Sequence, residues 1–324
     1  MQLIFKSFVV CLCSLYSTAV WSNKGEENHL PPSTQELTSA DSSGRRFGGH
    51  NFIQSDIDVT PFLTTHFSMK TGFGFGTINA PIDSFGNLTS KNRSYALGFF
   101  SEELDLQVAI LPWLGIRADI NGAVLAPASA NSALLFGANF NRGYSVGTTV
   151  RMLHGKRYQL TSSFDIAQYS DTTVNIVDAI QKSIDKGEIA ASNLLNESDF
   201  SVIKGGMQAA YAISNWIGIW GAFSYSVKDD ENNDSDNENE PTTTSTVALS
   251  VDLNSLSTAL PLGFLFSYNT SIIDGQRENN NGLGIFYTGR QNLLLGFETQ
   301  YFTKEDDVVA IESYEGLFKM RYFW

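Results

Sequence analysis

The chain has 324 residues, 42% of them hydrophobic, with 23 phenylalanines, 27 glycines, 8 prolines and a formal net charge of −13. That charge argues against nucleic acid as a partner, because phosphate backbones select basic surfaces. Both cysteines, Cys11 and Cys13, lie in the leading segment, so the rest of the chain offers no thiol for a disulfide, a metal site or a nucleophile.

Met1 to Ser22 carries one positive charge, Lys6, then a largely apolar run from Phe8 to Tyr16. Ala19 and Ser22 provide small residues for cleavage. This is the pattern of a secretory signal peptide, too short to span a membrane. A lipoprotein would place a small residue just before its cysteine, but Val10 and Leu12 stand there. No later stretch has the apolar length of a transmembrane helix. An exported chain of this kind is periplasmic, secreted or an outer-membrane barrel.

From Asn23 to about Gly49 the sequence is polar, with Pro31-Pro32 and a Ser/Thr-rich run to Ser43, and reads as a flexible periplasmic lead-in. Residues 50–65 fit an extra strand, a short plug or a continuation of that tail. The 23–65 segment is therefore set apart from the body, 66–324.

The body alternates by twos. Phe67, Met69, Thr71, Phe73 and Phe75 interleave with Ser68, Lys70 and three glycines. Leu104, Leu106, Val108 and Ile110 interleave with Glu103, Asp105 and Gln107, turn at Leu111-Pro-Trp113, and return through Ile116, Ala118 and Ile120 with Arg117, Asp119 and Asn121 between them. Such alternation predicts half-buried strands. It continues to the C-terminus and gives about twelve strands. Short turns (111–113, 154–157, 214–215, 254–259, 288–291) alternate with longer connections (78–94, 126–141, 170–201, 228–244, 274–281, and a shorter 304–307).

The last strand carries its apolar row, Tyr314, Gly316, Phe318, Met320, Tyr322 and Trp324, to the final residue. An aromatic end on an amphipathic strand resembles the C-terminal assembly signal of Gram-negative outer-membrane β-barrels, with Phe318, Met320, Tyr322 and Trp324 as the signal residues. The resemblance implies an all-β fold: a transmembrane, antiparallel, up-and-down barrel with short periplasmic turns and long extracellular loops. It also implies as partners the outer-membrane lipid and lipopolysaccharide, the barrel assembly machinery and small solutes. A secreted β-sandwich would share the alternation but not the terminal aromatic strand or the rhythm of the loops.

If the apolar row meets lipid, the other row lines the lumen. It contains Lys70, Glu103, Asp105, Arg117, Asp119, Arg151, Asp165, Lys204, Asp252, Glu298, Lys319 and Arg321, and the two signs suggest ion pairs bracing the wall. The 170–201 connection has a helical signature, with Asp171 or Thr172 as cap and Val174, Val177, Ile180 and Ile184 on one face. Such a helix either folds into the mouth as a constriction or lies over the rim. The acidic run 229–240 reads as a solvated loop, with weak divalent-ion bridging as the alternative; it lacks the glycine of an EF-hand.

No cofactor, metal site or catalytic set is expected. Outer-membrane phospholipases resemble the chain in strand number, but their serine-histidine motif has no counterpart beyond His66 near Ser68. The sequence thus points to a passive channel for small polar or charged solutes, with a non-conducting structural or surface-interaction barrel as the alternative.

Overall fold

The structure, a computed structural model, describes residues 44–55, 59–82, 88–129, 132–133, 137–174, 195–230, 241–273, 275–305 and 309–324. A small hairpin, β1 (Arg46–Phe47) and β2 (His50–Asn51), precedes the long strands. These are β3 (His66–Ile82), β4 (Leu88–Leu111), β5 (Leu114–Pro127), β6 (Ala138–His154), β7 (Tyr158–Val174), β8 (Leu195–Ala212), β9 (Ile217–Asp230), β10 (Pro241–Asp252), β11 (Leu262–Ile273), β12 (Gln276–Arg290), β13 (Leu293–Glu305) and β14 (Ala310–Phe323). Each pairs antiparallel with its sequence neighbours. β14 then returns to β3, with Phe323 opposite His66 and Ala310 opposite Asn79. The sheet is a closed barrel of twelve strands, β3 to β14. Closure leaves no unpaired strand edge, the condition a sheet must meet to cross a bilayer.

The exterior explains why these residues form this sheet. Phe73, Phe75, Leu104, Ile110, Ile120, Val146, Ile166, Phe223, Val247 and Ile285 are all exposed, while their alternate neighbours face inward. In water such a surface would aggregate; in lipid it is solvated. Aromatic residues bound this belt. On the side of the short turns stand Phe67, Trp113, Tyr158, Tyr211, Tyr322 and Trp324, and on the other Phe75, Tyr144, Tyr225, Tyr268 and Tyr314. Tyr322 pairs with Phe67 and Tyr314 with Phe75, eight residues further up both strands. At ~3.4 Å per residue that is about 27 Å along the strand. A tilt of ~40° reduces it to about 21 Å across the membrane, close to the ~25 Å apolar band of such barrels.

Phe297 of β13 faces lipid midway up, opposite Phe318 and four residues from Tyr301 and from Leu293. Phe297→Lys is expected to cost about 2–4 kcal/mol of folding free energy in bilayers. Urea titration of the refolded barrel measures that cost.

Above the belt the strands run further than the hydrophobic alternation indicated. Segments 78–94 and 274–281, expected as loops, are largely strand: β3 and β4 pair up to Ile82 opposite Leu88, and β11 and β12 up to Ile273 opposite Gln276. β10 likewise begins at Pro241, opposite Val227 of β9, and so takes in the end of the expected 228–244 loop. Alternation records lipid contact. Beyond the membrane both faces are wet, so the backbone ladder continues without an apolar row.

The same reason corrects the helix start. β7 continues through Asp171 and Thr172 to Val174, which stands opposite Ala138 and Leu195. Val174 is therefore a strand residue, and no helix begins at 171 or 172. Val177, Ile180 and Ile184 lie outside the described residues, as does the acidic run from 231 to 240.

The main buried cluster is inside the barrel, at the end carrying the short turns and therefore the periplasmic end. Residues 44–55 and 59–65 enter there. Phe47, Phe52, Ile53 and Phe62 pack on inward-facing Ala210, Ala212, Trp220, Ala222, Ala248, Leu265, Phe286, Leu294 and Phe323. Three wall glycines make room for them. A Cβ on Gly115 would stand 2.8 Å from Leu63 Cδ1, one on Gly218 would stand 2.5 Å from His50 Cδ2, and one on Gly263 would collide with Ile53 Cδ1.

Candidate functional site: the lumen and its floor

Polar contacts hold the inserted segment. The Phe52 amide donates to the Arg45 carbonyl (3.1 Å). The Arg45 guanidinium donates to the carbonyls of Phe52 (3.1 Å) and Gln291 (3.2 Å) and lies 4.2 Å from the centre of the Phe323 ring. Ser250 Oγ accepts from the Ile53 amide (2.9 Å) and bonds His50 Nε2 (3.1 Å). Gln107 donates to the carbonyls of Phe62 and Thr64, both at 3.0 Å, and Gln159 to that of Pro61. Arg321 donates to Gln54 Oε1. Arg45, His50, Phe52, Ile53 and Ser55 have no exposed surface.

Three histidines stand at this junction. His66 links Thr64 Oγ1 and Asp105 Oδ2, each at 2.7 Å, and His154 sets its ring edge-on to Phe47 at 6.3 Å. Burial lowers the pKa of His50 from 6.5 to about 4, against the opposing field of Asp252.

Above this floor the lumen is polar. Lys70 pairs with Glu103 (2.5 Å), Arg117 with Asp165 (2.7 Å), and Lys319 with Glu298 (2.7 Å). Gln300 donates a further bond to Glu298 (2.9 Å), and Asp119 accepts from Ser145. Lys204 stands opposite Asp165 in the β7–β8 register. Asp105 and Arg321 contribute to the floor. Two of the twelve inward positions belong to the ends of the wall instead. Asp252 accepts from Thr288 Oγ1, Ser255 Oγ and the Asn254 amide and so caps the turn after β10. Arg151 sits beside a bulge at the inner end of β6. Phe318 and Tyr322 face outward on β14, and Trp324, just past its end, is exposed as well.

Sequence reasoning missed much of the neutral lining. Gln208 accepts from Thr161 and donates to Ser163, Asn269 donates to Thr246, and Asn280 to Gln300. It also missed the Lys304–Glu278 and Ser101–Glu315 contacts, both 2.8 Å. A search restricted to charges on alternating positions does not find amides and hydroxyls, although these occupy the same inward row.

Two cavities lie in this interior among the described residues. One, about 360 Å³, lies toward the outer mouth among Lys70, Ser101, Glu103, Asn280, Gln300 and Glu315. The other, about 240 Å³, lies on the floor between Val59 and Thr60 and the β4–β8 wall. Glu103 and Asn121 line both.

A closed twelve-strand sheet, an apolar belt, paired aromatic girdles and a polar interior define the class: this is a β-barrel of the Gram-negative outer membrane. No protein-family profile and no curated protein sequence matches the chain. Solved structures do match. The transport unit of the autotransporter AIDA-I from Escherichia coli is similar with a TM-score of 0.50 and 11% identity, covering 86% of this chain and 95% of that one. The translocator domain of the autotransporter NalP from Neisseria meningitidis matches with a TM-score of 0.47 and 9% identity, over 80% of this chain and 89% of its own. The KdgM porin in complex with disordered oligogalacturonate matches at 0.42 and 6% identity, over 79% and 99%. At these identities the likeness is one of fold.

Proposed function

We propose that the barrel is a gated channel: a polar lumen for small solutes, closed at its periplasmic end by residues 44–65. The observation that carries this reading is the floor. The charged interior holds one cavity toward the outer side and one on the floor, while a segment of the chain's own N-terminal region fills the periplasmic end. The ion pairs Lys70–Glu103 and Arg117–Asp165 set the field that a solute meets, and conduction requires the segment to leave its seat. Planar-bilayer recordings test this. The refolded barrel with residues 44–65 is expected to be silent or nearly so, and the barrel with them deleted to conduct steadily. Silence in the deleted form, with barrel migration on gels intact, would favour the non-conducting reading, in which the segment is a permanent core.

Acid should loosen the seat. Seated His50 titrates near 4 and the released side chain near its ordinary 6.5, so the released state binds the proton more tightly. The seat keeps its full stability above pH 6.5 and loses about 1.4 kcal/mol per pH unit on the way down, on the order of 3 kcal/mol by pH 4. Open probability is expected to rise between pH 6.5 and 4.5, and His50→Gln to flatten that rise. An unchanged acid response in the variant would assign the proton to another group.

A further inference from the structure

We infer that the floor cavity is a binding site for a small organic cation bearing a primary ammonium group. Its inward lining includes Asp119, Asp165 and Arg117 on the β5–β7 wall, Lys204 on β8 and Tyr169 further along β7. Arg117 Nη2 donates to Asp165 Oδ1 at 2.7 Å, but this pair does not use up the carboxylate. Asp165 is more than nine-tenths buried, and its Oδ2 has no hydrogen-bond partner. An acceptor in that position is costly unless something supplies a donor. The neighbouring carboxylate has room as well. Asp119 Oδ2 accepts from Ser145, whereas its Oδ1 has only a long 3.5 Å contact from Asn121.

The wall is shaped to keep Asp165 in place. Gly147 stands opposite it in the β6–β7 register, and a Cβ there would collide with the carboxylate. An ammonium group has three donors and no acceptor, and it can bridge two carboxylate oxygens where a neutral hydroxyl can serve only one. At about 240 Å³ the cavity falls below the ~300–1,000 Å³ of pockets that hold drug-sized ligands, so the cation must be small. Glu103 and Asn121, shared with the outer cavity, mark its route inward.

This inference rests on the reading that solutes enter the lumen from outside, but it does not need the floor to open. It is therefore tested at equilibrium, by calorimetric titration of the refolded barrel in detergent with ethanolamine. Tetramethylammonium, a cation without N–H donors, and glycerol, which is neutral, are titrated alongside. Saturable binding of ethanolamine alone is expected, weakened at least tenfold by Asp165→Asn and left unchanged by Glu278→Gln in the outer cavity. Gly147→Ala, which intrudes on the carboxylate, supplies the second variant and should also weaken binding if Asp165→Asn does not refold. Equal binding of tetramethylammonium, no saturable ethanolamine binding, or full affinity in the Asp165 or Gly147 variant would overturn the site. A silent recording from the barrel lacking residues 44–65, beside intact binding in the full barrel, would overturn the channel and leave the site standing.

Discussion

Replacing Phe52 by alanine is expected to open the barrel. Its ring is fully buried, with ring centroids at 4.6 Å from Phe47, 4.5 Å from His50 and 5.0 Å from Phe62. Loss of a core phenylalanine costs about 3–5 kcal/mol. The strand ladder does not depend on this side chain, so the cost falls on the seating of residues 44–65. At ~1.4 kcal/mol per tenfold, the ratio of seated to released segment should fall by roughly two to three and a half orders of magnitude. Open probability reads this directly, and the urea midpoint of the barrel should move little. Gly218→Val attacks the same contact from the wall, because a Cβ there would press on His50 and the Phe52 ring. Two variants on opposite sides of one contact should therefore share one phenotype. If both stay closed, the segment is not held where these contacts place it.

Glu298→Ala should act on the barrel itself. Glu298 has no exposed surface and Lys319 only about 5% of its side chain, so both charges of this 2.7 Å pair are out of water. Truncating the carboxylate removes the ammonium's 2.7 Å counter-charge while the lysine stays out of water, a loss of about 3–5 kcal/mol. The lowered urea midpoint should return in large part in the double variant Glu298→Leu with Lys319→Met, because replacing a whole buried pair by apolar residues is often neutral. Glu278→Ala offers the contrast. Its partner Lys304 is 28% exposed, and a pair wetted to this degree contributes within about 1 kcal/mol. Equal losses at the two sites would mean that the lumen is uniformly hydrated.

The barrel was legible because lipid and lumen impose opposite chemistry on successive residues. Leu104-Asp-Leu106 and Ile116-Arg-Ala-Asp-Ile120 show the alternation directly, and the terminal strand shows it to Phe323. The extent of the strands was not legible, since outside the bilayer no apolar row marks them; β4 reaches back to Leu88 through polar sequence. The occupied floor was legible only as one of three alternatives, the short plug offered for residues 50–65, although a further signal for it exists. Trp216-Ile-Gly-Ile-Trp220, Phe264-Leu-Phe266, Ile285-Phe-Tyr287 and Leu293-Leu-Leu295 are apolar on both faces, all near the short turns. A strand bordered by water on one side has no reason to place Trp220, Leu265, Phe286 and Leu294 there, so runs apolar on both faces mark a strand buried on both sides. Their partners, Phe47, Phe52, Ile53 and Phe62, are scattered through irregular sequence without periodicity. The pairing of those runs with the preceding segment is set by tertiary packing.

The most direct test of a gating floor ties it down and lets it go in one molecule. A Cβ on Gly49, whose φ is +82°, would lie 3.1 Å from Asn215 Cβ, under the ~3.5–4.5 Å of a disulfide, so a cysteine there is strained but within reach of its partner. Residues from Asn23 onward contain no cysteine, so Gly49→Cys with Asn215→Cys introduces one defined bridge. Placed in the Phe52→Ala background, this barrel should be silent under oxidising conditions and should conduct when a reductant is added to the same bilayer. Conductance that ignores the reductant, or silence in both states, would contradict a channel closed by residues 44–65.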